Sequence, residues 1–412
     1  MEIKQFTEDP TVFHLVKDLK EQGVGQKKFS DLVDENNNQY VELVQEGGGV
    51  LGVALIGYTY MLEQMGLRFF SLAGTSAGAI NTMLLASMGN ISEPKSEKLI
   101  HELANKNLFD FVDGDGDAVD FVNAVVNRAR RVKFLWKAMQ IIDNIFEDLG
   151  LNPGNDFFSW LTDILERNKV DTTEKLLKVF QMLPEGLKIR EGVDRNIDGL
   201  SPRLAMIAAE LTTETKVEFP KMRELYWKED ENINPAWYVR ASMSIPYFFE
   251  PVILKDLPRG PEAMELWDTL TGYKGDIPRK VHFVDGGIMS NFPIDIFHKF
   301  NTVPRLPTFG VRLGVDRDKP NKISSPLNLF GAMFNSIRHL HDYDFFLRHP
   351  DYSMLVQHID IGKHDWLNFR LDDNAKIDLF RRGAVAAAGF LRRFDWEKYK
   401  QRREELKTKE KY

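Results

Sequence analysis

Leu67-Arg68-Phe69-Phe70-Ser71-Leu72-Ala73 runs directly into Gly74-Thr75-Ser76-Ala77-Gly78, and residues 77–88 continue with the apolar spacing of a helix. A strand that turns into a helix at G-x-S-x-G needs small flanking residues, which permit a sharp turn and hold the serine hydroxyl exposed at the sheet edge. The same five residues would also serve as a plain helix start capped by Thr75 or Ser76, so the surroundings have to decide. Upstream, Tyr40-Val41-Glu42-Leu43-Val44-Gln45 alternates as a strand, Gly47 to Gly52 forms a glycine-rich turn, and 50–64 has helical spacing that Gly66 ends. Strand, helix, strand, helix between residues 40 and 88 predicts an α/β fold with a parallel sheet and helices on its faces.

Further out, 92–184 changes to helices and loops, with 121–149 as the longest helical pattern, and is expected to be a helical insertion. Strand-like segments return at 203–209, 280–284 and 307–313 and complete the sheet. Residues 256–278, rich in Pro, Gly and charge, are expected to form a surface excursion, and 375–394 a closing helix. Residues 1–40 look like a polar N-terminal extension, ended by the turn-forming run Glu35-Asn36-Asn37-Asn38-Gln39. The expected organisation is therefore an extension at 1–40, one domain at 41–395, and a charged, solvated helix or tail at 396–412.

Composition narrows the function classes. The chain has 412 residues, 43% hydrophobic and 28% charged, which is ordinary for a globular protein and excludes disorder throughout. It has no cysteine, which removes thiol catalysis, iron–sulfur clusters and disulfides and favours a cytoplasmic compartment. The net charge of −7 offers no overall field for nucleic acid. Acids in the first ten residues argue against a Sec signal, and the longest uncharged stretch, 69–92, is too interrupted by polar residues and glycine for a membrane span.

Gly47-Gly48-Gly49-Val50-Leu51-Gly52 formally matches G-x-G-x-x-G. A dinucleotide site would need an acid at the end of the second strand to hold the ribose, and that strand ends in Phe70-Ser71-Leu72-Ala73. The three glycines can instead present backbone N–H groups at a helix start, suited to an oxyanion beside the serine. For a base, His339 and His341 fall in a segment of helical character and His282 lies within a strand, so a structural role suits each of them better. Asp285, in Val284-Asp285-Gly286-Gly287, terminates a strand with two glycines that allow close backbone approach, and is the stronger candidate. Asp113 to Asp117 suggests a calcium loop, but Ala118 and Ala124 stand where its glycine and bidentate acid belong. Arg128, Arg130, Arg131, Lys133 and Lys137, with Trp136 on an apolar helical face, form a basic amphipathic run that would suit peripheral contact with a membrane.

Taken in order, Gly47 to Gly52, Gly74 to Gly78 and Asp285 to Gly287 resemble the three signature elements of the patatin-like phospholipases. Ala241 to Pro251, Asn291-Phe292-Pro293 and the region from Asn368 to Phe390 are similar to further family segments, so the resemblance covers roughly 41–392. It implies a three-layer α/β/α sandwich and a Ser–Asp dyad, with Ser76 as nucleophile, Asp285 as base and the amides of Gly47, Gly48 and Gly49 as oxyanion hole. Gly52, Gly74, Gly78, Gly286 and Gly287 would support the motifs. The implied substrate is a lipid carboxylic ester, a phospholipid or lysophospholipid, and no cofactor or metal is implied. A thioesterase or acyltransferase using the same serine is the alternative within enzymes, and a catalytically idle lipid-binding module the alternative outside them. Leu51 stands where the family usually carries Arg or Lys, so a preference for a charged head group does not follow.

Overall fold

The computed structural model describes residues 1–114, 149–190, 197, 199–228, 232–314, 320, 323, 332, 336 and 343–409. Its strands are β1 (Leu32–Val33), β2 (Gln39–Gln45), β3 (Leu67–Thr75), β4 (Gly150–Asn152), β5 (Lys188–Ile189) and β6 (Leu204–Glu210). They continue with β7 (Thr215–Phe219), β8 (Tyr247–Phe249), β9 (Val252–Lys255), β10 (Lys280–Asp285), β11 (Thr308–Leu313) and β12 (Val356–Ile359). The main sheet runs β12-β11-β2-β3-β6-β10-β9. From β12 to β6 every pairing is parallel, whereas β10 and β9 are antiparallel to their neighbours. β2 and β6 are buried along their whole length, as expected of parallel strands covered on both faces. With flanking helices, this is the α/β sandwich with a mainly parallel sheet that the sequence predicts.

The helices are α1 (Lys4–Thr7), α2 (Pro10–Glu21), α3 (Gly52–Gln64), α4 (Ala77–Ser87), α5 (Ser96–Ala104) and α6 (Asn155–Arg167). After them come α7 (Thr173–Phe180), α8 (Ala236–Ser242), α9 (Pro261–Thr271), α10 (Asp373–Arg393) and α11 (Trp396–Lys409). No helix among the described residues is long and apolar enough to cross a membrane.

Both ends of the chain differ from expectation. Residues 1–40 are no separate extension: Phe6, Val12, Leu19, Phe29 and Leu32 are buried in the core, and β1 pairs with β2 and β5. The start signal for α2 was available, since Pro10 sits in its first turn and Asp9 accepts the N–H groups of Thr11 at 3.0 Å and Val12 at 3.2 Å. Its apolar residues are sparse among charges, and only the facing core shows that they are buried. The C-terminal tail is a helix, but it is docked. Trp396 and Tyr399 are buried, and buried Arg403 pairs with Asp351 and donates to the carbonyls of Lys299 at 2.8 Å and Thr302 at 3.1 Å.

The insertion at 92–184 is helical where it is described, through α5, α6 and α7, and β4 ties it to β8 in a separate two-stranded sheet. Most of the 121–149 pattern, and the whole basic run with Arg128, Arg130, Arg131, Lys133 and Trp136, lie outside the described residues. Asp113 holds the start of α6, accepting from Gly154 N at 2.9 Å and Asp156 N at 3.0 Å. The excursion at 256–278 contains α9, which buries Trp267.

Glu42 is a core carboxyl through which stability is expected to depend on pH. Glu42 on β2 accepts the Thr308 hydroxyl of β11 at 2.5 Å, and burial pushes its pKa up to about 7 against the pull of Thr308, Lys299 and Arg203. The folded chain therefore holds a proton that the unfolded chain releases above about 4.5, so this group's contribution to stability falls as pH rises from about 4.5 to 7. Glu42→Gln is expected to flatten that decline in urea midpoints measured from pH 5 to 8. An unchanged slope would show that another group is responsible.

Candidate active site

Ser76 sits at the carboxyl end of β3, where ligands bind in open parallel sheets. Its φ of 53° and ψ of −117° are strained for a residue with a side chain, as the sharp strand-to-helix turn of a nucleophile elbow demands. Such strain persists only when neighbours over-determine it. Ser76 N–H is held by the Ser242 hydroxyl at 2.9 Å, and the Thr75 hydroxyl donates to the Ser290 carbonyl at 2.8 Å. A Cβ on Gly74 would collide with the backbone of Gly78, and one on Gly78 with the Gln45 carbonyl, so both glycines are required by close approach.

Asp285 arrives from the other direction. β10 runs antiparallel to β6, yet the register pairs Asp285 with Ala208, beside the Ile207 that pairs with Thr75. The acid therefore lies two strands from the serine, about 10 Å across the backbone at a strand spacing of about 4.8 Å, with the two residues at matching levels of the backbone register. Asp285 is buried, its N–H donates to the Ser244 carbonyl at 2.7 Å, and its carboxylate accepts Gly287 N–H at 2.7 Å.

The turn that follows Asp285 joins all three glycine-containing motifs. Gly286 passes so close to the Ile207 carbonyl of β6 that no Cβ would fit. Ser290 then meets Thr75 on β3, and Asn291 reaches the loop after β2, its carbonyl accepting Gly47 N–H at 3.0 Å and its amide donating to the Gly47 carbonyl at 3.2 Å. A Cβ on Gly47 would lie 2.5 Å from Asn291 Oδ1 and 3.1 Å from the Ser76 Cβ, which places the glycine loop against the serine. Gly52, the first residue of α3, faces Ala77, the first residue of α4.

Within the glycine loop the amides have different fates. Gly47 N–H is committed to Asn291 and Val50 N–H to the Trp366 carbonyl at 3.1 Å, whereas the N–H groups of Gly48 and Gly49 have no acceptor among the described residues. The preceding residue, Glu46, anchors the loop through a buried pair with Arg312 at 2.9 Å and accepts Leu313 N–H at 2.7 Å. Leu51 is buried and brings no charge to the loop.

A cleft opens on Ser76. Ile80 and Leu84 of α4, Phe157 and Trp160 of α6, and Phe249 and Phe369 line it, so an uncharged chain fits where a polar one would lose its hydration. His282 is no partner to this site. Three residues from Asp285 on the same strand, its side chain lies on the opposite face, bonded to Thr212 at 3.2 Å, with its pKa lowered by burial and Lys280. His339 and His341 lie outside the described residues. The holding roles of Ser242, Ser244, Ser290 and Asn291 escape sequence reasoning, because no spacing rule marks a hydroxyl or carbonyl that acts across the sheet.

The sequence profile of the patatin-like phospholipases matches residues 43–298, more than half of the chain. A protein of Bacillus subtilis strain 168, YqhO, described as uncharacterized, is 30% identical over 361 residues, covering 87% of this chain and all of that one. The crystal structure of VipD from Legionella pneumophila aligns with 89% of this chain and 70% of that chain, at 16% identity and a TM-score of 0.39. With the profile spanning the glycine loop, the serine turn and the Asp-Gly-Gly turn alike, the chain belongs to the patatin-like phospholipase family.

Proposed function

We propose that this protein is a serine acyl hydrolase that cleaves lipid carboxylic esters through Ser76 and Asp285. The observation that carries the reading is a strained elbow serine opening on an apolar cleft, with two amides of the adjoining glycine loop lacking an acceptor among the described residues and buried Asp285 two strands away at a matching register. In the first half-reaction the Asp285 carboxylate takes the Ser76 hydroxyl proton while Oγ bonds to the ester carbonyl carbon. The carbonyl electron pair moves onto oxygen, where the N–H groups of Gly48 and Gly49 stabilise it. Collapse expels the alcohol, which takes the proton from Asp285, and leaves the acyl group on Ser76. Water then attacks, gives its proton to Asp285, and the carboxylic acid departs as Ser76 recovers its hydrogen.

The acyl chain would lie in the cleft along Ile80 and Leu84, one and two turns of α4 beyond the nucleophile. A fluorophosphonate probe should add covalently to the peptide containing Ser76, and diacyl phospholipid vesicles should release fatty acid and lysophospholipid in equal amounts. An unlabelled Ser76 in the folded protein would favour a catalytically idle lipid-binding module. Acyl transfer to an added alcohol in preference to water would favour an acyltransferase.

A further inference from the structure

The two residues of the proposed dyad are held by one short stretch that takes no part in the chemistry. α8 ends at Ser242, and the chain passes through Met243, Ser244 and Ile245 toward β8. Ser242 is wholly buried, and its Oγ donates to the Ile207 carbonyl of β6 at 2.5 Å while accepting Ser76 N–H at 2.9 Å. Two residues later the Ser244 carbonyl accepts Asp285 N–H at 2.7 Å. Ser244 is fixed in turn, its hydroxyl donating to the Arg240 carbonyl at 2.7 Å and accepting from the Arg240 guanidinium. Buried Arg240 also donates to the carbonyls of Pro153 at 2.5 Å and Glu250 at 3.0 Å, which ties the stretch to the residues that directly follow β4 and β8.

We propose that Ser242 is a positioning residue for the nucleophile. Its hydroxyl holds the strained Ser76 backbone against β6, and together with the Ser244 carbonyl it sets the separation of Ser76 and Asp285. The proposal rests on the dyad reading above. The strain supplies the reason: a serine at φ 53° relaxes unless its N–H is held, and relaxation moves Oγ away from the aspartate. Met243 and Ile245 alternate with the two holding residues and line the apolar cleft, so the same stretch that fixes the dyad also shapes the acyl site.

The test is Ser242→Ala in the full chain, with Ser71→Ala as control. Ser71 is equally buried and accepts Arg203 N–H at 3.1 Å, but its bond lies at the middle of β3, five residues before Ser76. On a short soluble ester, Ser242→Ala should lose about 10- to 100-fold in kcat with KM within about 2-fold, because a small misplacement costs rate before it costs binding. Fluorophosphonate labelling of Ser76 should slow in parallel, and the Ser76 amide should exchange hydrogen about 10-fold faster or more, read by fragment-resolved mass spectrometry. Ser71→Ala should keep kcat within about 2-fold even where it loses comparable folding stability. A kcat for Ser242→Ala near wild type, or an equal loss in both variants, overturns the proposal. If Ser242→Ala does not fold, Ser242→Cys keeps the size but replaces the strong hydroxyl bonds with weak thiol ones, and the same losses are expected. If the wild type shows no turnover dependent on Ser76, the hydrolase reading has failed, and the Ser76 amide exchange alone decides the positioning claim: unchanged protection refutes it.

Discussion

Ser76→Ala and Asp285→Asn are each expected to lower kcat on a carboxylic ester by about 10⁴-fold or more, the scale on which serine hydrolases lose rate when nucleophile or base is removed. The asparagine variant separates chemistry from folding. Its side-chain oxygen can still accept the Gly287 N–H that Asp285 accepts at 2.7 Å, and its own N–H can still reach the Ser244 carbonyl, so the turn survives while proton uptake does not. His282→Ala is expected to keep nearly full activity, since that ring lies on the opposite face of β10. Initial rates on a soluble ester, with circular dichroism to confirm folding, check all three. A folded Asp285→Asn enzyme of near-normal kcat would remove the aspartate from the mechanism, and a comparable loss in His282→Ala would convert the dyad into a larger set.

Gly49→Ala is expected to cost about 10²- to 10³-fold in kcat, equivalent to the 2.7–4 kcal/mol typical of losing one oxyanion donor. Gly49 has φ 55°, which an alanine adopts at a cost of about 1 kcal/mol, and the added methyl would collide with the Trp366 carbonyl. That carbonyl is the acceptor for Val50 N–H, so relief of the collision moves the loop and its two uncommitted amides together. Gly48→Ala makes the contrast. Its φ of −177° is open to any residue, and its Cβ would meet first the tip of the Leu313 side chain, at 2.5 Å, which can rotate away. The alanine at 48 should therefore lose much less rate than the alanine at 49. Equal and small effects at both positions would show that the amides of this loop do not stabilise the transition state.

Much of this architecture was legible in one dimension because it is local. The β2–α3–β3–α4 order follows from apolar periodicity interrupted by glycines. The serine turn follows from the need for small residues on either side of a strained position, and the acidic end of β10 from an aspartate before two glycines. The ends of the chain fold differently from the expectation for a physical reason. In α2 and α11 a few buried residues, Val12 and Leu19 in one and Trp396, Tyr399 and Arg403 in the other, are surrounded by charge, and burial of such a sparse face depends on what lies opposite it.

The sequence by itself determined the fold class, the sharp turn at Ser76, the acid that ends β10 and the glycine loop after β2, because each is written in residues adjacent along the chain. The tertiary structure decided what adjacency cannot express. An antiparallel β10 still delivers Asp285 to the level of Ser76 because its register on β6 pairs it with Ala208, and no pattern within 280–285 encodes that register. Of three glycine amides two have no acceptor among the described residues, while Asn291, reached only through the turn after Asp285, occupies the first. The Ser242 hydroxyl accepts Ser76 N–H and the Ser244 carbonyl accepts Asp285 N–H, bonds between segments far removed in sequence. Hydrogen bonds of this kind are set by distances between packed elements, and those distances exist only once the sheet has closed around its core.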